Sequence, residues 1–287
     1  MPASITSIYA AWTELATTTY RQYASKTADN VSKHNALWRK LSQKGKIRME
    51  DGGLSIVTPL EYASNSTYQR YSGYDVLNIN AVDVLTAAEY PWRQAAVNVA
   101  ASGLELRTNM GSSKIINFTK SKITNAQHSF GNNLSIDLYS DGTAANQING
   151  LQALVSDAGT GTVGGINSST FSFWQNVVQS AAAPLQGGSA ITPSATTIES
   201  LMLPLWIRLT RQGDKPDMIV LSDDYFTFFE QSQTSLKRYA PEDNGAGGML
   251  AMKYKSADVF FDSSGGIPAA HGYFLHTDYL ELVVHSA

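Results

Sequence analysis

Cysteine is absent from the 287 residues, which removes disulfides, thiolate metal sites and cysteine nucleophiles together. Stability therefore has to come from packing and association, and the composition fits assembly in a reducing cytoplasm. Charge is also scarce: Asp, Glu, Lys and Arg make up 16% of the chain, against roughly 25% in ordinary soluble proteins. Much of the polar surface must be uncharged Gly, Ser, Thr and Asn, which suits a protein covered by neighbours. Positive charge is not in excess either. With a net charge of -3, no overall basic field exists to hold phosphates by counterion release, and sequence-specific nucleic-acid binding is not expected. Long apolar runs of about 18 residues are missing, and residues 1–20 lack the basic and apolar regions of a secretory leader. The chain reads as neither secreted nor membrane-spanning.

What is present is enough apolar material, 43% hydrophobic residues, to bury a core in one large domain or two modest ones. No repeat of fixed period and no low-complexity linker divides it, so a single interlocked unit with subdomains is expected.

At the start, Ile5, Ile8, Trp12 and Leu15 form an amphipathic stripe to which Tyr23 returns, with Thr19 interrupting it. After the capping residues Asp29 and Asn30, Val31, Leu37, Trp38 and Leu41 predict a second short helix ending near Gly45. Together these read as an arm that needs cover, although pattern alone fits two ordinary helices of a globular domain. Residues 51–80 then change character. Gly52-Gly53, the β-prone Leu54-Ser55-Ile56-Val57-Thr58, a break at Pro59 and many Tyr, Ser and Asn residues predict a long two-stranded excursion. Such a hairpin is marginal alone in water, so Tyr62, Tyr68, Tyr71 and Tyr74 are expected to find partners outside the domain. A meander within a sheet is the plainer alternative.

Residues 92–99 suggest a strand of imperfect alternation. A long helix is predicted from the Gly111-Ser112-Ser113 signal to about Tyr139, with Ile116, Ile123, Ala126, Phe130, Leu134 and Leu138 near one face and Gly131 inside it. Ser140-Asp141-Gly142 ends it. Residues 143–194 are loop-rich, with Leu151 to Val155 as the strand-like run. Ile198, Leu201, Leu205 and Leu209 predict a helix, Met218 to Leu221 a strand, and Ser222 an N-cap to a helix through Glu230 with acids in its first turn. Past Gly245 to Gly248, the runs 259–261, 273–275 and 279–284 are β-prone.

The chemistry-bearing patterns are weak. Gly159-Thr160-Gly161-Thr162-Val163-Gly164 matches the dinucleotide fingerprint, but the turn-like Gly165-Ile166-Asn167 follows where a helix should open, and Glu199 is too distant for the ribose. A glycine-rich loop is the better reading. His34, His128, His271, His276 and His285 form no metal-binding spacing, and on a strand His271 and His276 would face opposite ways. Asp223, Asp224 and Glu230 are explained by capping. Lys33, Arg39, Lys40, Lys44, Lys46 and Arg48 form the one basic concentration, open to nucleic acid, to acidic neighbours or to solvent.

The order of features carries a resemblance. A helical arm, the segment Gly45-Lys46-Ile47-Arg48-Met49-Glu50-Asp51-Gly52-Gly53, the run Ile56-Val57-Thr58-Pro59-Leu60, a tyrosine-bearing hairpin, a spine helix and the turn Ser140-Asp141-Gly142-Thr143 follow one another. Ile148-Asn149-Gly150-Leu151, then Gly161-Thr162-Val163-Gly164-Gly165-Ile166 and Phe173-Trp174, complete the series. Over nearly its whole length the chain resembles the major capsid proteins of tailed bacteriophages (Caudoviricetes), whose relatives include the encapsulins.

The resemblance implies an α+β fold of the Hong Kong 97 type. It places an N-terminal arm at residues 1–50, an extended loop at 51–80, a peripheral domain with the spine helix at 81–142, an axial domain at 143–248 and strands returning to the peripheral domain at 249–287. It implies no enzyme activity, no cofactor and no metal, but self-association in pentamers and hexamers into an icosahedral virion shell around non-specifically packaged double-stranded DNA. Assembly in the bacterial host cytoplasm, portal and scaffolding proteins, a decoration protein and no membrane complete the implied setting. A scaffold is expected to be a separate protein. Trp12, Trp38, Tyr62, Tyr68, Tyr71 and Tyr74 are the expected inter-subunit contacts. Some members cross-link the extended loop through a lysine, whereas here no lysine lies between Lys46 and Lys114, so the expected shell is non-covalent. Mild acidity suits an inner wall past which DNA slides. An encapsulin is the nearer alternative, disfavoured by the long arm, and a nucleotide-binding enzyme the remoter one.

Overall fold

The structure, a computed structural model, describes residues 36–108, 118–233 and 252–286. These fall into two compact units, residues 95–134 and residues 36–94 with 135–286. The second short helix predicted from the sequence appears as α1 (Ala36–Gln43). Leu37 and Leu41, one turn apart, are buried, and the helix stops because Gly45 takes φ +66°. There the Lys46 N–H donates to the Leu41 carbonyl at 2.9 Å and the Gly45 N–H to Ser42 at 3.1 Å, which satisfies the last orphan carbonyls. The stripe of residues 5–23, the capping pair Asp29 and Asn30, Val31, Lys33 and His34 lie outside the described residues.

The centre of the larger unit is a four-stranded sheet of β6 (Met218–Leu221), β7 (Met252–Tyr254), β8 (Ala257–Phe261) and β9 (Gly272–Leu275), ordered β7-β8-β6-β9. β6 pairs parallel with β8 and antiparallel with β9, and all four of its residues are buried. The uninterrupted Met-Ile-Val-Leu run thus reads as a strand covered on both faces. Met218, Val220, Phe260, Tyr273 and Leu275 cluster with Leu37 and Leu41 of α1 and with Leu138, Tyr139 and Leu151. Ile219, Leu221, Ala257 and Val259 point the other way, into Ile198, Met202 and Trp206 of α5 (Ile198–Leu209) and Phe226 and Phe229 of α6 (Asp223–Ser232). Strand residues alternating between two cores give three layers. Ser222 stands at the N-cap of α6, as expected, but its hydroxyl makes no cap bond. It donates to Asp224 and accepts from the His271 N–H at 3.2 Å, joining α6 to β9.

Three sequence expectations are corrected. The run Leu151 to Val155 is not a strand but the one-turn helix α4 (Leu151–Leu154). A short apolar run fits either state, and here the Leu151 N–H is drawn onto the Leu138 carbonyl at 2.8 Å. Residues 92–99 form no strand and 93–99 are exposed. Pro59 does not break the strand: β2 (Ser55–Glu61) runs through it and pairs antiparallel with β3 (Leu85–Pro91), with Pro59 opposite Ala87. An edge strand tolerates the missing N–H.

The smaller unit holds α2 (Gly103–Thr108) and all but the end of α3 (Phe118–Asp137). The predicted start of the spine helix at Gly111 to Ser113 and Ile116 lie outside the described residues, as do Gly245 to Gly248. Ser102 and Glu105 form a reciprocal cap on α2, at 3.2 Å and 2.9 Å. Within residues 95–134 the only described residue that is buried is Asn132. Ile123 and Phe130, on the predicted apolar face, stay exposed, and that face becomes buried only at Leu138, beyond the helix end.

Four residues of the basic concentration pair within the chain. Lys40 reaches Asp258 at 3.4 Å, Lys44 pairs with Asp217, Lys46 lies 2.8 Å from Asp278 and Arg48 3.0 Å from Glu281. These pairs stitch α1 and β1 (Ile47–Glu50) to the C-terminal half, where β1 lies parallel to β10 (Leu282–His285), Ile47 opposite Leu282. Lys44→Met is expected to cost about 1 kcal/mol, because the pair is only partly buried. Urea titrations in low and high salt check this: the variant should lose part of the salt sensitivity of the parent.

Candidate assembly surfaces

β2 and β3 form a ribbon whose register, Ser55 opposite Pro91 through Glu61 opposite Leu85, sorts its residues onto two faces. Ile56, Leu60, Thr86, Ala88 and Tyr90 are covered or half covered. Their cover includes a tight hairpin of β4 (Thr162–Val163) and β5 (Ile166–Asn167). Gly164 and Gly165 at its turn take φ +57° and +78°, the two positive values a two-residue hairpin loop needs. Gly164 also permits close approach: a Cβ there would lie 2.7 Å from the Ala88 Cβ and 3.0 Å from the Tyr90 ring, while its carbonyl accepts from the Glu89 N–H at 3.0 Å. The glycine run that matched the dinucleotide fingerprint is therefore the seat of the ribbon. The Gly161 N–H is taken by the Ser168 hydroxyl at 2.9 Å, and the next α-helix among the described residues starts only at Ile198.

The opposite face, with Val57, Pro59, Leu85 and Ala87, is exposed. Residues 62–84, between the strands, contain no regular element. Here Val76 and Ile79 are 92% and 90% exposed, and Tyr68, Tyr71, Tyr74 and Leu77 are also uncovered. Isolated exposed apolar residues are ordinary, but a contiguous run marks an interaction surface.

The six expected contact residues divide accordingly. Trp12 lies outside the described residues. Trp38 packs half-buried against the core of its own chain. Tyr62 meets Phe173, ring centroids 5.5 Å apart. Tyr68, Tyr71 and Tyr74 have their faces bare. Leu54, Val57, Val76, Leu77, Ile79 and Leu85 are exposed as well, apolar residues to which a count of tyrosines does not point. The apolar spacing of residues 76–79, in a stretch with no core to join, was the available signal.

Among the described residues no cluster of metal-ligating side chains exists. His276 caps the short turn at Thr277–Tyr279. His271 stands apart, at 2.9 Å from Asp157 through Nε2 and at 2.8 Å from the Ala269 carbonyl through Nδ1. Burial disfavours its charge, but that carbonyl and Asp157, helped by Asp224, outweigh it and raise its pKa. A raised folded pKa stabilises fully below the unfolded value and fades as pH rises through the folded value. Stability is thus expected to fall as pH rises from about 6 to about 8, less so in Asp157→Asn, as read from urea midpoints at the two pH values.

No family model and no curated protein matches the chain in sequence. Its fold is nonetheless that of a solved capsid chain, from the Cyanophage A-1(L) capsid asymmetric unit. The two share a TM-score of 0.60 at 16% sequence identity, over 91% of this chain and 76% of that one. The chain thus has the tailed-phage major capsid protein fold, an α+β fold. No helix among the described residues is long and apolar enough to cross a membrane.

Proposed function

We propose that the chain is the major capsid protein of a tailed bacteriophage, a structural and non-catalytic subunit that self-associates into pentamers and hexamers and closes an icosahedral head around double-stranded DNA. The observation that carries this reading is the ribbon: residues 55–91 place a bare apolar stretch beyond the reach of their own core, on a chain whose fold is that of a capsid protein. Residues 51–80 then act as the extended loop, lying on a neighbouring subunit, and residues 1–50 as the arm. Residues 81–142 and 249–287 supply the peripheral domain and residues 143–248 the axial domain.

Each ring contact is heterologous, a loop from one copy on the body of the next, and such contacts close into rings. Each buried Ile, Val or Tyr contributes about 1.5–3 kcal/mol, so many modest contacts, repeated over the shell, hold it without covalent links. Internal pairing of the basic segment leaves DNA held by enclosure instead of by specific contacts. Portal, scaffolding and decoration proteins are the further partners of this reading, the virion its destination and the host cytoplasm its place of assembly.

The test is expression of the chain alone and with a co-expressed scaffold, followed by size-exclusion chromatography and negative-stain electron microscopy. Closed shells, tubes or five- and six-membered rings support the reading, and heating in SDS should return them to a single monomer band. A monodisperse monomer under all conditions, scaffold included, overturns it.

A further inference from the structure

The ribbon leaves the body of the protein at two points, and one side chain meets both. On the outgoing side the chain turns through Gly52 and Gly53, at φ +73° and +96°. Nothing lies within 4 Å of a Cβ placed at Gly52, so packing does not fix this pivot. On the return side Trp92 follows directly on β3. His285, the last residue of β10, accepts the Gly52 N–H on Nε2 at 3.2 Å, and its ring meets the Trp92 ring edge-on, with centroids 5.8 Å apart at 70°. Trp92 in turn donates its indole N–H to the Gly53 carbonyl at 3.0 Å. Backbone groups of both glycines are therefore held by two side chains that also hold each other. β10 itself is anchored to the body, with His285 opposite Glu50 and the Ser286 N–H on the Glu50 carbonyl at 3.1 Å.

We propose that His285 and Trp92 form a proton-sensitive latch that sets the direction in which the ribbon leaves the subunit. To accept from Gly52, Nε2 must be unprotonated, so the latched ring is neutral with its proton on Nδ1. Imidazolium has only donors. It turns an N–H toward an N–H, breaks the bond to Gly52 and loosens the double-glycine pivot, which Trp92 alone then holds at Gly53. His285 is exposed, so its ring is open to protons from solvent. The charged residues nearest in pairing and sequence are Glu50, opposite His285 across the strand pair, Arg48, 3.4 Å from Glu50 and 3.0 Å from Glu281, and Asp51 and Arg93, which adjoin Gly52 and Trp92 in the chain. A neutral latch gives one ribbon direction and an opened latch a range of them. Its use in letting one sequence fill unlike positions in a shell rests on the function proposed above, whereas the latch itself is a property of the single chain.

The cysteine-free sequence allows a clean test. Spin labels on Tyr74→Cys, in the ribbon, and Lys215→Cys, on the body, report the ribbon direction as a distance distribution in the full-length subunit. At about pH 7.5 the distribution should be narrow and at about pH 5.5 broad. His285→Phe, which keeps a ring but offers no acceptor, should be broad at both. His285→Gln, an acceptor that does not titrate, should stay narrow at both. Equal widths for all variants, or a pH response that survives in His285→Gln, overturn the latch. Shell formation by the unlabelled chain, scored separately, shows whether the capsid reading stands independently of this result.

Discussion

Asp262→Ala is expected to destabilise the subunit by about 4 kcal/mol, with the urea midpoint falling by about 1–2 M and the slope unchanged. The carboxylate is buried and serves three donors. It accepts the Tyr139 hydroxyl at 2.9 Å, the Leu37 N–H in the first turn of α1 at 3.1 Å and the Ser264 N–H at 2.9 Å. Tyr139 and Ser264 are 0% exposed and Leu37 1%, so water cannot replace the lost acceptor without opening the core. Each abandoned buried donor costs about 1–3 kcal/mol, and the positive end of the α1 dipole loses its counter-charge. Asp262→Asn keeps an acceptor and should lose less than half as much. Tyr139→Phe, which removes only one bond, should lose about 1 kcal/mol. A midpoint for Asp262→Ala within about 0.3 M of the parent would mean that the three donors find other partners.

The second large effect is expected at Gly150, and its cause is distance instead of backbone conformation. Gly150 has φ -89°, open to any residue, yet a Cβ there would stand 2.3 Å from the Ser140 nitrogen, 2.5 Å from the Asp137 carbonyl oxygen and 2.7 Å from the Leu138 carbonyl carbon. All three are backbone atoms at the end of α3 and cannot rotate aside. The approach is tight because the Gly150 N–H donates to the Ser140 hydroxyl at 3.1 Å and the Leu151 N–H to the Leu138 carbonyl at 2.8 Å. Gly150→Ala should cost about 3 kcal/mol and lower the thermal midpoint by roughly 8 °C, with reduced soluble yield. Gly213→Ala is the control, since no atom lies within 4 Å of a Cβ there and no change is expected. If the two variants melt together, the packing at residue 150 is looser than described.

Gly150 also explains why part of the fold was legible in the sequence. In the segments that carried the family resemblance, glycine is dictated by close contact or by backbone angle: Gly164 by Ala88 and Tyr90, Gly150 by the backbone of 137–140, Gly142 by φ +70° and by Asn149. The helix of residues 198–209, the strand of 218–221 and the helix after Ser222 were legible because their periodicities are unbroken and both faces of the strand are apolar. What was not legible was set by partners outside the segment itself. The Leu151 to Val155 run carries no period that separates strand from helix, and the bond from Leu151 to Leu138 decides it. Pro59 looked like a break because nothing local says that its pairing partner is Ala87 and that β2 is an edge. In the candidate surface the tyrosines were visible as a compositional excess, but the half-buried packing of Trp38 on its own core and the contact of Tyr62 with Phe173 were not. Exposure of Val76 and Ile79 depends on the absence of a core nearby, which no short window records.

The pairing of β1 with β10 also sets an order of events during synthesis. Residues 47–50 leave the ribosome early, but their strand partner at 282–285 and the acids that hold α1, Lys46 and β1 (Asp258, Asp278 and Glu281) are made much later. At about 5–20 residues per second, the early strand waits roughly 10–50 s for its mate. α1, whose first-turn amide needs Asp262, waits with it. The ribbon root, which needs His285, cannot set before residue 285 has been made. A nascent subunit is thereby kept from presenting a finished binding edge to its neighbours on the same polysome, and translation itself acts as a timer on association.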